Sequence, residues 1–398
     1  PGPMHVNLPE DVLAGDPEAD GPSGSPGRTP APPAPDGATV AAVAEHLVDA
    51  DRPVLLCGEG AVRAGAFEPV RRLARAADAP VVTSMNGKGV VDETADYAAG
   101  VAGRWGYCEV ANGLLADADL VVGLGCRFGD LTTVGGSQPS AGATVVHVDL
   151  DPHWLGRTVD VDVPVLADVR ATADRLASAL EERPVGPGDR LEAVADRYAT
   201  WRSSFASLLE SDASPIAPHR IVDELHRATP PSAILVSSTS FPGFFTAAFY
   251  QVREPGARYL QARGSDGINC ALPQAIGAQL ANPDVPVVAV TGDGGLGYHV
   301  ADLETAARVG APITVIVFDN QSLGSSKASM LANQGVALST DFHPEVDYAT
   351  VAEGFGCTGI AVDEPEAFAA ALADAVGADE PTLIDAHIDP NAIPPVLV

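Results

Sequence analysis

Lysine is almost missing from this 398-residue chain, in which Lys88 and Lys327 are the only two. With 23 basic against 53 acidic residues the formal charge is −30. That removes the cationic surface that binding to a phosphate backbone needs, and nucleic acid is excluded as a partner. The excess acid reads as a solvated surface that keeps the protein dissolved, and it carries no information about a substrate. Cysteine is sparse too: Cys57, Cys108, Cys126, Cys270 and Cys357 are scattered without a CxxC pair. This argues against a zinc site and a disulfide framework, and the expected location is a reducing cytoplasm. No apolar run approaches the roughly 18 residues of a membrane helix. Nor does a secretory signal open the chain, so no membrane partner is expected.

Apolar residues, by contrast, make up 46% of the chain, ample for the cores of about two or three domains. Punctuation divides them. Ala14 to Gly37 holds seven prolines and five glycines in 24 residues, too little apolar side chain for a core, and residues 1–35 read as an interdomain linker. Residues 36–185 follow as an α/β domain, with strand candidates at Val54 to Cys57, Val81 to Ser84, Leu120 to Leu124 and Thr144 to Asp149 between alanine-rich helical stretches. A polar segment from Glu182 to Arg190 leads into a second α/β domain, 190–398. Its strands are expected near Ile234 to Ser237, Val287 to Thr291, Ile313 to Phe318 and Thr382 to Ala386. The fold class expected is α/β, two tandem Rossmann-like domains with parallel sheets.

The chemistry concentrates between Val287 and Gly324. Val287 to Thr291 is a β-branched, apolar run of the kind buried on both faces of a parallel sheet, and Gly292-Asp293-Gly294-Gly295 ends it abruptly. Val300, Leu303, Ala306 and Ala307 recur at helical spacing, Gly310 to Pro312 stops that helix, and a second strand from Ile313 to Phe318 ends in Asp319 and Asn320. A right-handed crossover would set Asp293 and Asn320 side by side at the carboxyl edge of the sheet, where open α/β folds bind ligands. Asp293 offers a hard anionic oxygen and Asn320 a neutral one, a pairing suited to Mg²⁺ with positions left for diphosphate oxygens. Gly294 and Gly295 allow backbone N–H groups to approach a phosphate, and the following helix presents its amino end to an anion.

GDGG followed by Asn320, 28 positions after the first glycine, resembles the thiamine-diphosphate motif of the acetolactate synthase and pyruvate decarboxylase superfamily. PGPMHVNLPEDV at 1–12, CRFGD at 126–130 with VHVDLDP at 146–152, and ALPQAIGAQLANPD at 271–284 agree with it in order. The resemblance implies that residues 190–398 bind thiamine diphosphate. Asp293, Asn320 and the Ser322 carbonyl would be Mg²⁺ ligands, and Gly292, Gly294, Gly295, Leu323 and Gly324 would surround the diphosphate. It makes Ile268, in Arg263-Gly-Ser-Asp-Gly267-Ile268-Asn269, the apolar wedge that keeps the cofactor bent, with Gly267 beside it; ordinary core is the other reading of Ile268. Tyr298 and His299 either face the site or pack at a helix start.

For residues 36–185 the resemblance points to the superfamily's central domain, which carries FAD in acetolactate synthases. The loop Gly123-Leu-Gly125-Cys-Arg127-Phe128-Gly129-Asp130, with Asp149 and Asp151, leaves FAD and a purely structural domain both open. Neither Gly58-Glu-Gly60 nor Gly123-Leu-Gly125 completes the dinucleotide fingerprint. The implied activity is decarboxylation of a 2-oxo acid and transfer of the acyl unit to an acceptor. A simple decarboxylase or lyase on the same cofactor and a non-catalytic cofactor-binding subunit are the alternatives. After Asn320 the chain reads QSLGSSKASM where acetolactate synthases carry an arginine and a tryptophan, so the acceptor pocket is expected to differ. The superfamily's pyrimidine-binding domain precedes the linker and supplies an activating glutamate. The chain opens after that point, as a fragment or a separate subunit, so a homo-oligomer or a complex with a pyrimidine-domain polypeptide is expected, with negligible turnover by the chain alone.

Overall fold

The computed structural model describes residues 5–15, 31–104, 108–183, 185, 188–262 and 267–392. Two units separate, Pro1–Pro32 and Pro33–Val398. Within the first, the described residues include one helical turn, Glu10–Leu13. Much of the linker reading falls on residues 16–30, outside the described residues.

The second unit holds two six-stranded sheets, each parallel throughout. Strands β1 (Pro53–Cys57), β2 (Val81–Thr83), β3 (Ala98–Val101), β4 (Leu120–Leu124), β5 (Thr144–Asp149) and β6 (Val163–Leu166) form the first. Its order is β3-β2-β1-β4-β5-β6, the doubly wound arrangement with its switch point between β1 and β4. The second contains β7 (Ile234–Ser237), β8 (Tyr259–Leu260), β9 (Val287–Gly292), β10 (Thr314–Asp319), β11 (Thr358–Val362) and β12 (Thr382–His387), in the order β11-β12-β10-β9-β7-β8. The tandem Rossmann-like architecture is therefore as the sequence implied. β1, β4 and β10 are buried along their whole length, the burial that continuous apolar runs require when helices cover both faces.

Helix starts follow local chemistry. Asp36 caps Gly37–Asp49 by accepting from Thr39 N at 2.7 Å, and Asp168 caps Val169–Glu182 by accepting from Ala171 N at 2.8 Å. One expectation needs correcting. The helix after the glycine turn is not continuous through Val300: a single turn, Asp293–Leu296, precedes a separate helix, Asp302–Val309, closed by left-handed Gly310. Gly294, Gly295 and Gly297 within four positions cost too much backbone entropy to sustain one helix.

The two sheets are joined by buried polar contacts. Lys88 Nζ lies 2.7 Å from Glu93 Oε2 and donates to the Tyr250 carbonyl at 2.9 Å, while the same Glu93 oxygen accepts from Val252 N at 2.9 Å. Beside this junction the wholly buried helix Phe241–Phe249 packs Phe245 and Phe249 against His219. Each such buried ring stabilises by about 1.5–3 kcal/mol.

Candidate functional site

The second sheet changes winding direction between β7 and β9, and three strands deliver their carboxyl ends to that crevice. Ser238 to Pro242 follow β7, Gly292 to Gly295 end β9, and Asn320 to Ser326 follow β10. These segments, with Ile268, Tyr298 and Ile388, line a cavity of about 290 Å³.

Asp293 is its hub. Buried to 4% exposure, it accepts from its neighbour Gly294 N at 2.7 Å through Oδ1, and from Asn320 N and Ser322 N, both at 3.1 Å, through Oδ2. One carboxylate thereby ties the end of β9 to the loop after β10. Asn320 Oδ1 accepts from Ser322 Oγ at 2.9 Å, and the Ser322 carbonyl accepts from Gly324 N at 2.8 Å. Tyr348 OH donates to the Asp293 carbonyl at 3.1 Å. Burial, together with the neighbouring Asp319 carboxylate, pushes the Asp293 carboxyl up to about 8, against the lowering effect of the N–H groups it accepts. A second buried carboxyl, Asp385, is raised to about 7 by burial and by Asp319.

The glycines here are required by crowding. A Cβ on Gly295 would sit 3.0 Å from Asn269 Cβ, and one on Gly324 would meet Asn320 Nδ2 at 2.6 Å and the Phe241 ring at 3.2 Å. Because Asp293–Leu296 is a single turn, its dipole adds little, and any attraction for an anion comes from individual N–H groups.

Of the residues singled out from the sequence, Gly292, Asp293, Gly294, Gly295, Asn320, Ser322, Leu323, Gly324 and Ile268 all line this cavity. Gly267 is exposed and is not among the described lining residues, and Arg263 to Asp266 lie outside the described residues. Ile268 is 56% exposed, which overturns the ordinary-core reading and leaves its side chain free at the cavity wall. Tyr298 lines the cavity, whereas His299 places Nδ1 3.3 Å from Asp302 Oδ2 at the start of the following helix. The sequence reading missed Ser238 to Pro242. The signal was a run of small polar residues after an apolar strand, then a proline at a helix start, with Ser240 at φ 70°.

The first sheet has its own cavity, about 560 Å³, lined in part by Gly58, Arg63, Gly125, Arg127 and Asp149. Its glycines have a packing cause: a Cβ on Gly58 would fall 2.2 Å from Gly125 O, and one on Gly60 2.7 Å from Gly125 Cα. The two loops touch backbone to backbone, so these glycines need no phosphate to explain them. Asp149 Oδ1 accepts from Asp151 N, and Asp151 in turn holds His153 Nδ1 at 2.9 Å. All five cysteines are free, and among the described residues no helix is long and apolar enough to cross a membrane.

Comparison with known proteins agrees with this layout. Residues 40–176 match the family model described as thiamine pyrophosphate enzyme, central domain, and residues 242–386 the one described as thiamine pyrophosphate enzyme, C-terminal TPP binding domain. A probable acetolactate synthase large subunit from Methanococcus aeolicus is 28% identical over 98% of this chain and 68% of its own length. The acetolactate synthase isozyme 3 large subunit of Escherichia coli (strain K12) is 29% identical over 83% of this chain and 58% of its own. An acetolactate synthase from Mycobacterium leprae is 29% identical over 90% and 58% respectively.

Proposed function

Because the chain belongs, through its central and C-terminal domains, to the thiamine pyrophosphate enzymes and is acetolactate synthase-like, we propose that it anchors thiamine diphosphate with Mg²⁺ where β9 and β10 end, for decarboxylation of a 2-oxo acid and transfer of its acyl unit. The observation that carries this is the junction of Asp293 and Asn320 on adjacent parallel strands, Asn320 N donating to Asp293 Oδ2 at 3.1 Å, beside crowded glycines.

The donor set suits the group. Asp293, Asn320 Oδ1 and the Ser322 carbonyl are oxygen ligands of one anionic and two neutral kinds, which leaves positions for phosphate oxygens and water. When bound, thiamine diphosphate supplies the electron sink that decarboxylation of a 2-oxo acid requires. The chain's residues bind and orient. The Gly295 backbone N–H would be offered to a phosphate, the Gly324 N–H being held by the Ser322 carbonyl, and the exposed Ile268 side chain at the cavity wall would supply the bulk to hold a bent ligand. Burial and the neighbouring Asp319 raise the Asp293 carboxyl, and a captured cation would act in the opposite direction by favouring the carboxylate. Small side chains at Ser325 and Ser326 line the cavity just beyond Asn320, leaving room for an acceptor of different shape from one that an arginine and a tryptophan would contact.

A flavin on the first sheet has weaker support, because packing accounts for the glycines there. Calorimetric titration of the chain with thiamine diphosphate tests the principal reading. Binding should require Mg²⁺ and weaken by about tenfold or more in Asp293→Asn, with circular dichroism unchanged. Metal-independent binding, or Asp293→Asn binding like wild type, would contradict it.

A further inference from the structure

On the far side of β10 from the crevice, the sheet brings together three more metal-binding side chains. β12 lies against β10 in the register Val317↔Asp385 and Asp319↔His387, so Asp319 and His387 are direct cross-strand neighbours and Asp385, two residues earlier, shares their face. His387 Nε2 is 3.8 Å from Asp319 Oδ2 and 4.0 Å from Asp385 Oδ2, and one ligand atom from each residue lies within 4.8 Å of the others.

The surroundings are those of a cation site. Asp319 and Asp385 are 2% and 1% exposed, yet both line a cavity of about 520 Å³ with Glu345, Asp347 and His387. No lysine or arginine is among its described lining residues. Asp385 Oδ2 accepts from Tyr348 N at 3.1 Å, but Asp385 Oδ1, buried, has no hydrogen-bond donor among the described residues. A carboxylate oxygen withdrawn from water without a donor is costly, and a second buried carboxylate beside it raises that cost. His387, half exposed, gives an ion a way in from the cavity.

We propose that Asp319, Asp385 and His387 form a second divalent-cation site, separate from the one read at Asp293 and Asn320, for a d-block ion of the Mn²⁺ or Zn²⁺ type. One imidazole with two carboxylates favours such ions over Mg²⁺ or Ca²⁺, which take oxygen ligands. Three protein ligands leave at least one position for water. With metal–ligand bonds of about 2.1 Å the ligand atoms would stand about 3–3.5 Å apart. A small rotation of the half-exposed imidazole closes much of the difference from 3.8 and 4.0 Å. None of its three side chains is assigned to the diphosphate cofactor, although the Asp319 carboxylate neighbours Asp293.

Mn²⁺ binding to the full chain, counted and read by electron paramagnetic resonance with electron spin-echo detection of nitrogen, tests it. The wild-type chain should hold a Mn²⁺ whose signal carries imidazole nitrogen coupling. His387→Gln should abolish that coupling and lower the ion count by one, while leaving thermal unfolding unchanged. Asp293→Asn should keep the nitrogen-coupled ion, and Asp385→Asn should weaken it by about tenfold or more. If wild type holds only the nitrogen-coupled ion even with thiamine diphosphate added, the second site stands and the Mg²⁺ reading at Asp293 fails. Mn²⁺ bound with no nitrogen coupling, or coupling that survives His387→Gln, would overturn the proposal and leave the two carboxyls sharing a proton.

Discussion

Single residues in this protein are explained more often by what touches them than by what they could bind. Gly58, Gly60 and Gly125 look like a phosphate loop in one dimension, yet they are glycines because two loops meet at backbone distance. Gly58→Ala should therefore destabilise by about 2–3 kcal/mol, as overpacking against immovable backbone does. Gly142→Ala, with nothing within 4 Å of the added methyl, should stay within about 0.5 kcal/mol. Urea denaturation of the two variants makes the comparison, and equal midpoints would refute it. Asp293 is the opposite case. Its three accepted N–H bonds make it a staple between β9 and β10 whether or not a metal is present, and its residue type was legible from the GDGG turn. The staple was not legible, because Asn320 N and Ser322 N reach it from 27 and 29 positions away.

At the scale of elements, strands were the most readable feature. Buried parallel strands are continuous β-branched runs, and β1, β2, β4, β5, β7, β9, β10 and β12 all fall on runs visible in the sequence. β8, two residues long, and β3, with a central glycine, carried too little pattern to be seen. The helix Phe241–Phe249 is apolar all round, so it has no amphipathic period to betray it. It packs with the helix Pro218–Ala228, where His219 sits among Phe205, Phe245 and Phe249 with its Nε2 unpartnered. Burial lowers the His219 imidazole to about 4, from 6.5. The unfolded chain takes up a proton below pH 6.5 and the folded one does not until about 4, so this residue's contribution is complete above pH 6.5 and is lost as pH falls towards 4. The loss should be at most about 1.4 kcal/mol per pH unit. In His219→Phe the stability should fall less steeply than in wild type between those limits. Parallel pH profiles from denaturant unfolding of the two proteins would refute the attribution.

For the molecule as a whole, the near-absence of lysine turns out to matter in one place. Lys88, one of the two lysines, is 2% exposed and paired with Glu93, itself 6% exposed, where segments of the first half meet Tyr250 and Val252 of the second. Removing one partner leaves a buried charge alone, so Lys88→Ala should destabilise by about 3–5 kcal/mol. The double substitution Lys88→Met with Glu93→Leu should recover most of that loss, because no uncompensated charge remains. A double variant no more stable than Lys88→Ala would show that the contacts to Tyr250 and Val252, not the charge pair, hold the junction. The remaining acid is largely solvated, consistent with the many carboxylates that form exposed pairs with arginine, such as Arg75 with Asp96.

The sequence by itself determined the α/β class, the tandem arrangement and the pair of residues, Asp293 and Asn320, that end consecutive strands. These depend on local pattern: apolar runs, glycine breaks and the spacing of one crossover unit. Only the tertiary structure decided which other strand ends share their crevice. The order β11-β12-β10-β9-β7-β8 puts the loop after β7 on one side of the GDGG turn and His387 beside Asp319 on the other. Sheet order and register follow from the burial of all faces at once, a sum over residues far apart in the chain, and no local stretch contains it.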